Sequence, residues 1–463
     1  MFESTVSIDL GASYTKVAYR PGCDPEQPGT RQQDANVLMV DGSPLIPSIA
    51  IQTQRKEMPW VFGVQAAKLN PDGTMKVHKN WKANLFLPQN NAESANAVIV
   101  AEHFFGWLKE KLELAGIDLG KTETRVAMPA FESVVETARV IGICMETNGW
   151  RPPILKAIEP HANTVGLFSR GRSVIRRMAD GERHPEFTKM FTHNNLLLQG
   201  VRNFYLTGTG SNIVRAMIFD IGAFTTDFAC LAYDVTALGE SMPSIQPESH
   251  PVGVINQLDN PLFAALGNHH GFDWSGVSFE EAELVKRDLY QGNSRSLNVS
   301  GGRVIKLGVN SDRVLIDEAL TTFERAVWEK AGAFIERERP RVVFLTGGGA
   351  LIPQLAERLK NRIREKGMGF GNVEGAGTLE PVVDVLQPWR AWEATGQGLQ
   401  RVATALGGTS VYLQATPAEL PTKAEITERQ PDGMEFDPNY RPCICPGGNK
   451  DCCFCGGTGW RLK

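Results

Sequence analysis

The stretch Ile8-Asp9-Leu10-Gly11-Ala12-Ser13-Tyr14-Thr15 has a counterpart in the second half of the chain, Phe219-Asp220-Ile221-Gly222-Ala223-Phe224-Thr225-Thr226-Asp227. In each, an acid ends a strand-like run, and a glycine, hydroxyls and a second strand-like run follow. Glycine at such a turn brings backbone N–H groups within reach of a phosphate, because no Cβ blocks the approach. The carboxylate can hold Mg²⁺ directly or through its waters. Two such loops face to face would grip one polyphosphate from both sides. A third glycine cluster, Phe344-Leu345-Thr346-Gly347-Gly348-Gly349-Ala350, also follows a strand-like run and precedes a helical one.

Around these loops the sequence alternates strands and helices. Residues 4–20 read as a β-hairpin whose turn is the first loop. Further strands are expected near Leu38, Ser48–Ile51, Trp60–Phe62, Thr124–Met128 and Ile154–Ile158. Helices are expected over Ala92–Ala115 and Ser133–Thr147. In the second half, a strand, the loop and a strand over Asp227–Tyr233 echo the first half. Ser278-Phe279-Glu280-Glu281 reads as a capping box opening a helix that runs to Tyr290. Ile316, Leu320, Phe323, Val327, Ala331 and Phe334 mark one face of a longer helix. Strand Val342–Leu345, helix Ile352–Lys366 and a last helix over Ala394–Ala405 complete the pattern. It predicts a mixed α/β layer architecture.

Composition sets the outer bounds. At 463 residues the chain is long enough for more than one domain. Its net charge of −4 gives no reason to expect a nucleic-acid partner. No apolar run reaches membrane-spanning length. The first strand is entered by Val6, which leaves no room for a signal peptide, so a cytoplasmic location is expected. Five of the eight cysteines lie between Cys443 and Cys455, and without an export signal such a cluster reads as metal-binding before disulfide. Cys443, Cys445, Cys452 and Cys455 are the expected Zn²⁺ ligands, with Cys453 spare or substituting. A redox tail and plain reduced thiols are the alternatives.

Taken together, the three loops resemble the phosphate-one, phosphate-two and adenosine motifs of the superfamily of actin, sugar kinases and DnaK-type heat-shock ATPases. The DnaK-type ATPases are the most similar. Pro47-Ser48 with Phe62-Gly63-Val64-Gln65-Ala66-Ala67, Asn80-Trp81-Lys82, Val126-Ala127-Met128-Pro129-Ala130-Phe131, Glu159-Pro160 with Ala162, Glu283-Leu284-Val285-Lys286-Arg287 and Gly347–Pro353 each look like a segment of that family. Together they span about residues 4–408. The end of the chain, Cys452–Gly459, looks like one cysteine-glycine unit of the DnaJ-type cochaperones.

The resemblance implies an actin-like fold of two lobes, each with a duplicated ribonuclease-H-like mixed sheet, plus a small zinc-knuckle-like tail. Lobe I is expected over 1–168, an Arg- and His-rich insertion over 169–215, lobe II over 216–408, a proline- and charge-rich linker over 409–441 and the cysteine tail over 442–463. It also implies slow ATP hydrolysis. Asp9 and Asp227 would hold the Mg²⁺ hydration shell, Asp220 would orient the attacking water or take its proton, and Glu159 would help place the water or the metal. Lys82, with Lys16 as the alternative, would neutralise the γ-phosphate. Gly11, Ala12, Ser13, Tyr14, Gly222, Ala223, Thr225 and Thr226 would cradle phosphates. Gly347, Gly348 and Gly349 would admit adenosine, with Glu283, Lys286 and Arg287 on ribose or base. The plainer alternative for these last three is a solvated helix face.

Four departures bear on activity. Ala12 stands in place of a threonine and Leu351 in place of an adenine-stacking arginine. Ala223-Phe224 replaces two glycines, and no peptide-binding domain follows residue 408. A nucleotide-driven switch or chaperone-like scaffold acting on an unidentified protein partner is therefore expected. An actin-like filament, a small-molecule kinase and a nucleotide-sensing scaffold without turnover are the alternatives.

Overall fold

A computed structural model describes residues 4–21, 36–55, 59–87, 91–130, 134–163, 213–234, 244–299, 301–340, 342–368, 382–385, 404–405 and 407–409. Most of the 169–215 segment and of the 409–441 linker, the whole cysteine tail, and most of the helix expected over 394–405 lie outside the described residues.

β1 (Ser4–Leu10) is buried along its whole length. Side chains alternate across a strand, so Val6, Ile8 and Leu10 enter one core while Ser7 and Asp9 take the opposite face. β2 (Tyr14–Pro21) returns antiparallel to β1, and β3 (Asn36–Val37) and β4 (Ile46–Pro47) pair with β2. β5 (Ala50–Gln52), β6 (Trp60–Phe62) and β7 (Lys76–His78) make a small separate sheet with β5 in the middle. β8 (Thr122–Met128) then runs parallel to β1, and β9 (Ile154–Ile158) parallel to β8. Parallel neighbours need crossovers. Helices supply them: α1 (Gly63–Lys68), α2 (Trp81–Asn84) and the long α3 (Ala92–Leu114) precede β8, and α4 (Val134–Thr147) precedes β9. The strand order is β3-β2-β1-β8-β9.

The second half repeats this plan. β10 (Ile213–Ile221), β11 (Thr226–Asp234) and β12 (Ser244–His250) form an antiparallel meander. A π-helical turn (Ile255–Asp259), α5 (Asn260–His270) and α6 (Phe279–Tyr290) follow. Next come the hairpin β13 (Arg295–Val299) and β14 (Arg303–Leu307), then α7 (Asn310–Glu338). β15 (Val342–Thr346), α8 (Pro353–Met368) and β16 (Val382–Val385) finish it. The order is β12-β11-β10-β15-β16, with β15 and β16 parallel to β10. Leaving aside the two-residue β4, which pairs only with β2, both sheets thus run third, second, first, fourth, fifth.

Each sheet has its own core. One draws on residues between Val6 and Trp150, the other on residues between Met217 and Ile363. The apolar face read along α7 is buried at all six expected positions. In β10, Met217, Phe219 and Ile221 enter the core, which leaves Asp220 on the other face, as Asp9 is in β1.

Three local expectations change. β10 starts at Ile213, inside the segment expected to be an insertion. Leu38 lies just past β3, although its N–H donates to the Val17 carbonyl at 2.8 Å. The capping box at α6 is only half formed. Ser278 Oγ accepts from the Glu281 N–H at 3.2 Å, but the Glu281 carboxylate takes an ion pair with Arg295 at 3.0 Å. A charged partner in reach outcompetes one backbone N–H.

Phe104 is fully buried and meets the rings of Phe62, Trp81, Phe105 and Trp107. Phe104→Ala should cost about 3–5 kcal/mol of stability, read as a lower denaturant midpoint.

Candidate functional site

The two Asp-Gly hairpins share one register. Leu10–Thr15 and Ile221–Thr226 are the last cross-strand pairs, so each aspartate sits one residue before its strand ends. Across the ladder Asp9 faces Lys16, whereas Asp220 faces Asp227. The turns need glycine for their own closure. A Cβ on Gly11 would stand 2.2 Å from the Tyr14 carbonyl oxygen, and one on Gly222 would stand 2.7 Å from that of Thr225. Gly347 is more constrained: its φ is +84°, and a Cβ would lie 2.0 Å from Asp220 Oδ1.

Both hairpins open onto one cleft of about 810 Å³, within the range of small-molecule sites. Asp9, Lys82, Glu159, Asp220 and Asp227 all line it. So do Gly11, Ala12, Ser13 and Tyr14 from the first hairpin, and Gly222, Ala223 and Thr225 from the second. Gly347, Gly348, Gly349, Glu283, Lys286 and Arg287 complete the expected set. Thr226 is turned away: it is fully buried and its hydroxyl donates to the Val252 carbonyl at 2.6 Å. Alternation along β11 dictates this, since Thr225 and Asp227 take the cleft face.

The acids are crowded. Lys82 is buried and donates to Glu159 Oε1 at 2.7 Å, and Lys16 donates to Asp9 Oδ2 at 2.8 Å. Two lysines therefore answer four carboxylates. Burial pushes the Asp220 carboxyl up to about 7, with Asp9 and Glu159 adding to the rise and Lys16 opposing it. Asp227 is also pushed up to about 7, by burial and then by the charge of Asp220. Burial likewise lifts Glu159, against the pull of Lys82. Lys82 is held above its ordinary value: burial acts to lower it, but Glu159, Asp9 and Asp227 outweigh that.

The other end of the cleft is a polar mesh. Lys286 donates to Asp259 at 3.1 Å and to Glu283, and Tyr290 donates to Asp259 at 2.6 Å. Glu283 also accepts from Tyr14 at 3.1 Å, a bond between the two halves of the chain. Lys286 and Glu283 are thus committed to buried and half-buried partners, which sets aside the plainer expectation of a solvated helix face for these two, whereas Arg287 is exposed. Leu351 lines this end and is partly exposed.

Asn163 and Ser249 carried no sequence signal of their own, and Thr225, expected at a phosphate, takes a further partner. Asn163 donates to Asp220, and Thr225 and Ser249 donate to Asp227. Phe224 stacks on Phe86 with ring centres 5.6 Å apart, which accounts for an aromatic where the resemblance leads one to expect glycine. Asn163 had an indirect signal: it lies four residues after Glu159 in one helical turn, and such residues share a face.

The donor set suits a hard cation. Asp9 and Asp227 offer carboxylate oxygens, the ligand type that Mg²⁺ prefers, and a cation there would relieve the crowding that lifts Asp220 and Asp227. No protein-family model matches this chain, and no curated protein matches it.

In the ligand-free protein, Asp220 and Asp227 bind protons up to about pH 7, whereas in the unfolded chain they release them near pH 4. Their contribution to stability is therefore lost as pH rises from about 4 to 7. His161 works the other way: burial holds its imidazole down to about 4, so acid below pH 6.5 favours the unfolded chain. Asp227→Asn should melt higher than wild type at pH 8, with the gap closing towards pH 5, as scanning calorimetry will show. Gly347→Ala, which forces both a strained φ and a clash with Asp220, should lose at least about 1–2 kcal/mol in urea titrations.

Proposed function

We propose that this protein binds and hydrolyses Mg-ATP in the cleft between the two hairpins and uses the cycle as a conformational switch. The observation that carries this is the duplication. Two sheets of identical strand order each end their central strand in an Asp-Gly hairpin, and both hairpins, with the Gly347–Gly349 turn, line one cleft. That plan supports an actin-like fold of the kind shared with DnaK-type ATPases, with lobe I over 1–168 and lobe II starting at Ile213, where β10 begins, and ending near 408.

In this reading the backbone of Gly11 and Gly222, with Ser13 and Thr225, cradles the phosphates. Lys82 and Lys16 both supply positive charge, and each is oriented by a carboxylate. Asp9 and Asp227 would hold Mg²⁺, which when bound would neutralise charge building up on the phosphates. Asp220 takes the proton of the water that attacks the terminal phosphorus, as the bond to the ADP oxygen breaks. Burial raises the proton affinity of that carboxyl, and Mg²⁺ at Asp9 and Asp227 would draw it back down, leaving the ionised form that can accept the proton. Asn163 fixes the orientation of that carboxyl. Glu159, held by Lys82, faces the same space.

The nucleoside would lie against Gly347–Gly349, Leu351 and the mesh of Glu283, Lys286 and Arg287. Glu283 would receive ribose hydroxyls beside the bond it accepts from Tyr14, so nucleotide occupancy would be felt by the contact between the halves. This supports a hinge-type switch whose output passes to a protein partner. By its spacing, the cysteine tail is assigned to Zn²⁺ through Cys443, Cys445, Cys452 and Cys455. Among the described residues no helix is long and apolar enough to cross a membrane. A cytoplasmic setting fits this reading.

Single-turnover hydrolysis of Mg-ATP, with light scattering followed in the same cuvette, tests the proposal. Wild type should turn over slowly without scattering, and Asp220→Asn should be slower by about 100-fold or more. Rising scattering would favour a filament. Tight binding with no turnover would withdraw the catalytic roles.

A further inference from the structure

We propose that His269, His270 and Asp312 form a binding site for a divalent transition-metal ion of the zinc type, separate from the cleft. The two histidines end α5, and the aspartate lies in the first turn of α7. One donor atom from each comes within 4.8 Å of the other two. None of the three lines the nucleotide cleft.

The donors are partly organised already. His270 Nε2 and Asp312 Oδ1 lie 2.8 Å apart. Two ligands on one zinc at about 2.0–2.1 Å stand about 3–3.5 Å from each other, so this pair needs to open only slightly. Asp312 is fully buried, and its other oxygen accepts from the Gly308 N–H at 2.8 Å, which fixes the carboxylate. Such supporting bonds are what hold a metal ligand in place. His269 is exposed and meets the His270 ring edge-on at 4.8 Å between centres. A side-chain rotation would bring it to the shared point, with the remaining coordination positions left to water.

Ligand chemistry selects the metal class. Two imidazoles and one carboxylate suit zinc, cobalt or nickel, whereas Mg²⁺ and Ca²⁺ prefer oxygen alone. The electrostatics also favour a cation. The last carbonyls of α5 carry partial negative charge, and Arg303 already donates to those of His270 and Gly271 at 3.0 and 2.7 Å. The Arg303 guanidinium is a like charge that the ion must tolerate, and the buried Asp312 carboxylate offsets it. A bound ion would pin the end of α5 to the start of α7.

The test uses the full chain with Cys443, Cys445, Cys452, Cys453 and Cys455 all changed to serine, so that tail thiolates cannot compete. Excess Mg²⁺ is present to occupy the acids of the cleft. Co²⁺ is titrated by absorbance and Zn²⁺ by calorimetry. The expected result is one equivalent bound, with no sulfur-to-cobalt charge-transfer band. His269→Ala, a surface change, should weaken binding at least tenfold while leaving the metal-free melting temperature unchanged. Asp312→Asn should do the same to binding, and its amide can still accept from Gly308. Zn²⁺ should raise the melting temperature of the parent but not of His269→Ala. If no equivalent is bound, or if His269→Ala binds as the parent does, the site does not exist and the His270–Asp312 contact only joins two helices. ATP hydrolysis enters none of these readouts, so the outcome stands apart from the nucleotide proposal.

Discussion

Four carboxylates share a space that two ammonium groups neutralise only in part, and the two sheets force them together. Asp9 and Asp220 cannot move away, because each is one residue from the end of a central strand whose alternate side chains are locked in a core. Lys16 and Lys82 are each drawn to one acid. The surplus negative charge stays with Asp220 and Asp227, and burial makes it costly. Such an arrangement spends folding stability to keep a cation-binding surface assembled. The hydroxyls of Thr225 and Ser249 and the amide of Asn163 limit that cost by hydrogen bonding to the charged groups.

The hairpins and most of the cleft were legible because they are local. Asp-Gly at the end of an alternating apolar run fixes both the turn and the face on which the acid stands, and Val6-x-Ile8-x-Leu10 beside Asp9 contains all of that information. The face of α7 was legible for the same reason. Contacts made by distant segments were not. Nothing near Ser249 marks it as a partner of Asp227, because β11 and β12 meet only through the sheet register. Thr226 was misjudged because a run of two threonines does not say which of them faces in; the register of β11 does.

The likeness between the halves is one of topology, not of charge. At equivalent ladder positions one hairpin pairs acid with base and the other pairs acid with acid. The first hairpin is therefore self-neutralising, and the second carries the unbalanced charge. The halves also meet through unlike contacts: a hydrogen bond from Tyr14 to Glu283, a ring stack of Phe86 on Phe224, and an N–H of Ala130 donated to Ser249. The last of these runs on to Asp227, so a backbone group of the first half helps orient an acid of the second.

The wide turn at Ile255–Asp259 holds one residue more than an α-helix would need over the same rise. It acts as a phase shifter in an otherwise continuous rod. Asp259, at its end, reaches Lys286 in the cleft mesh, while His270, at the far end of α5, reaches Asp312. Each residue turns an α-helix by about 100°. A chain shortened by one residue in this turn could keep its helix, but Asp259 and His270 would swing together by about 100° relative to Val254 and Ile255, whose N–H groups donate to Gly222 and Ala223 of the second hairpin. The length of this segment is thus a form of timing between two places on the molecule, written in rotation and not in side chains.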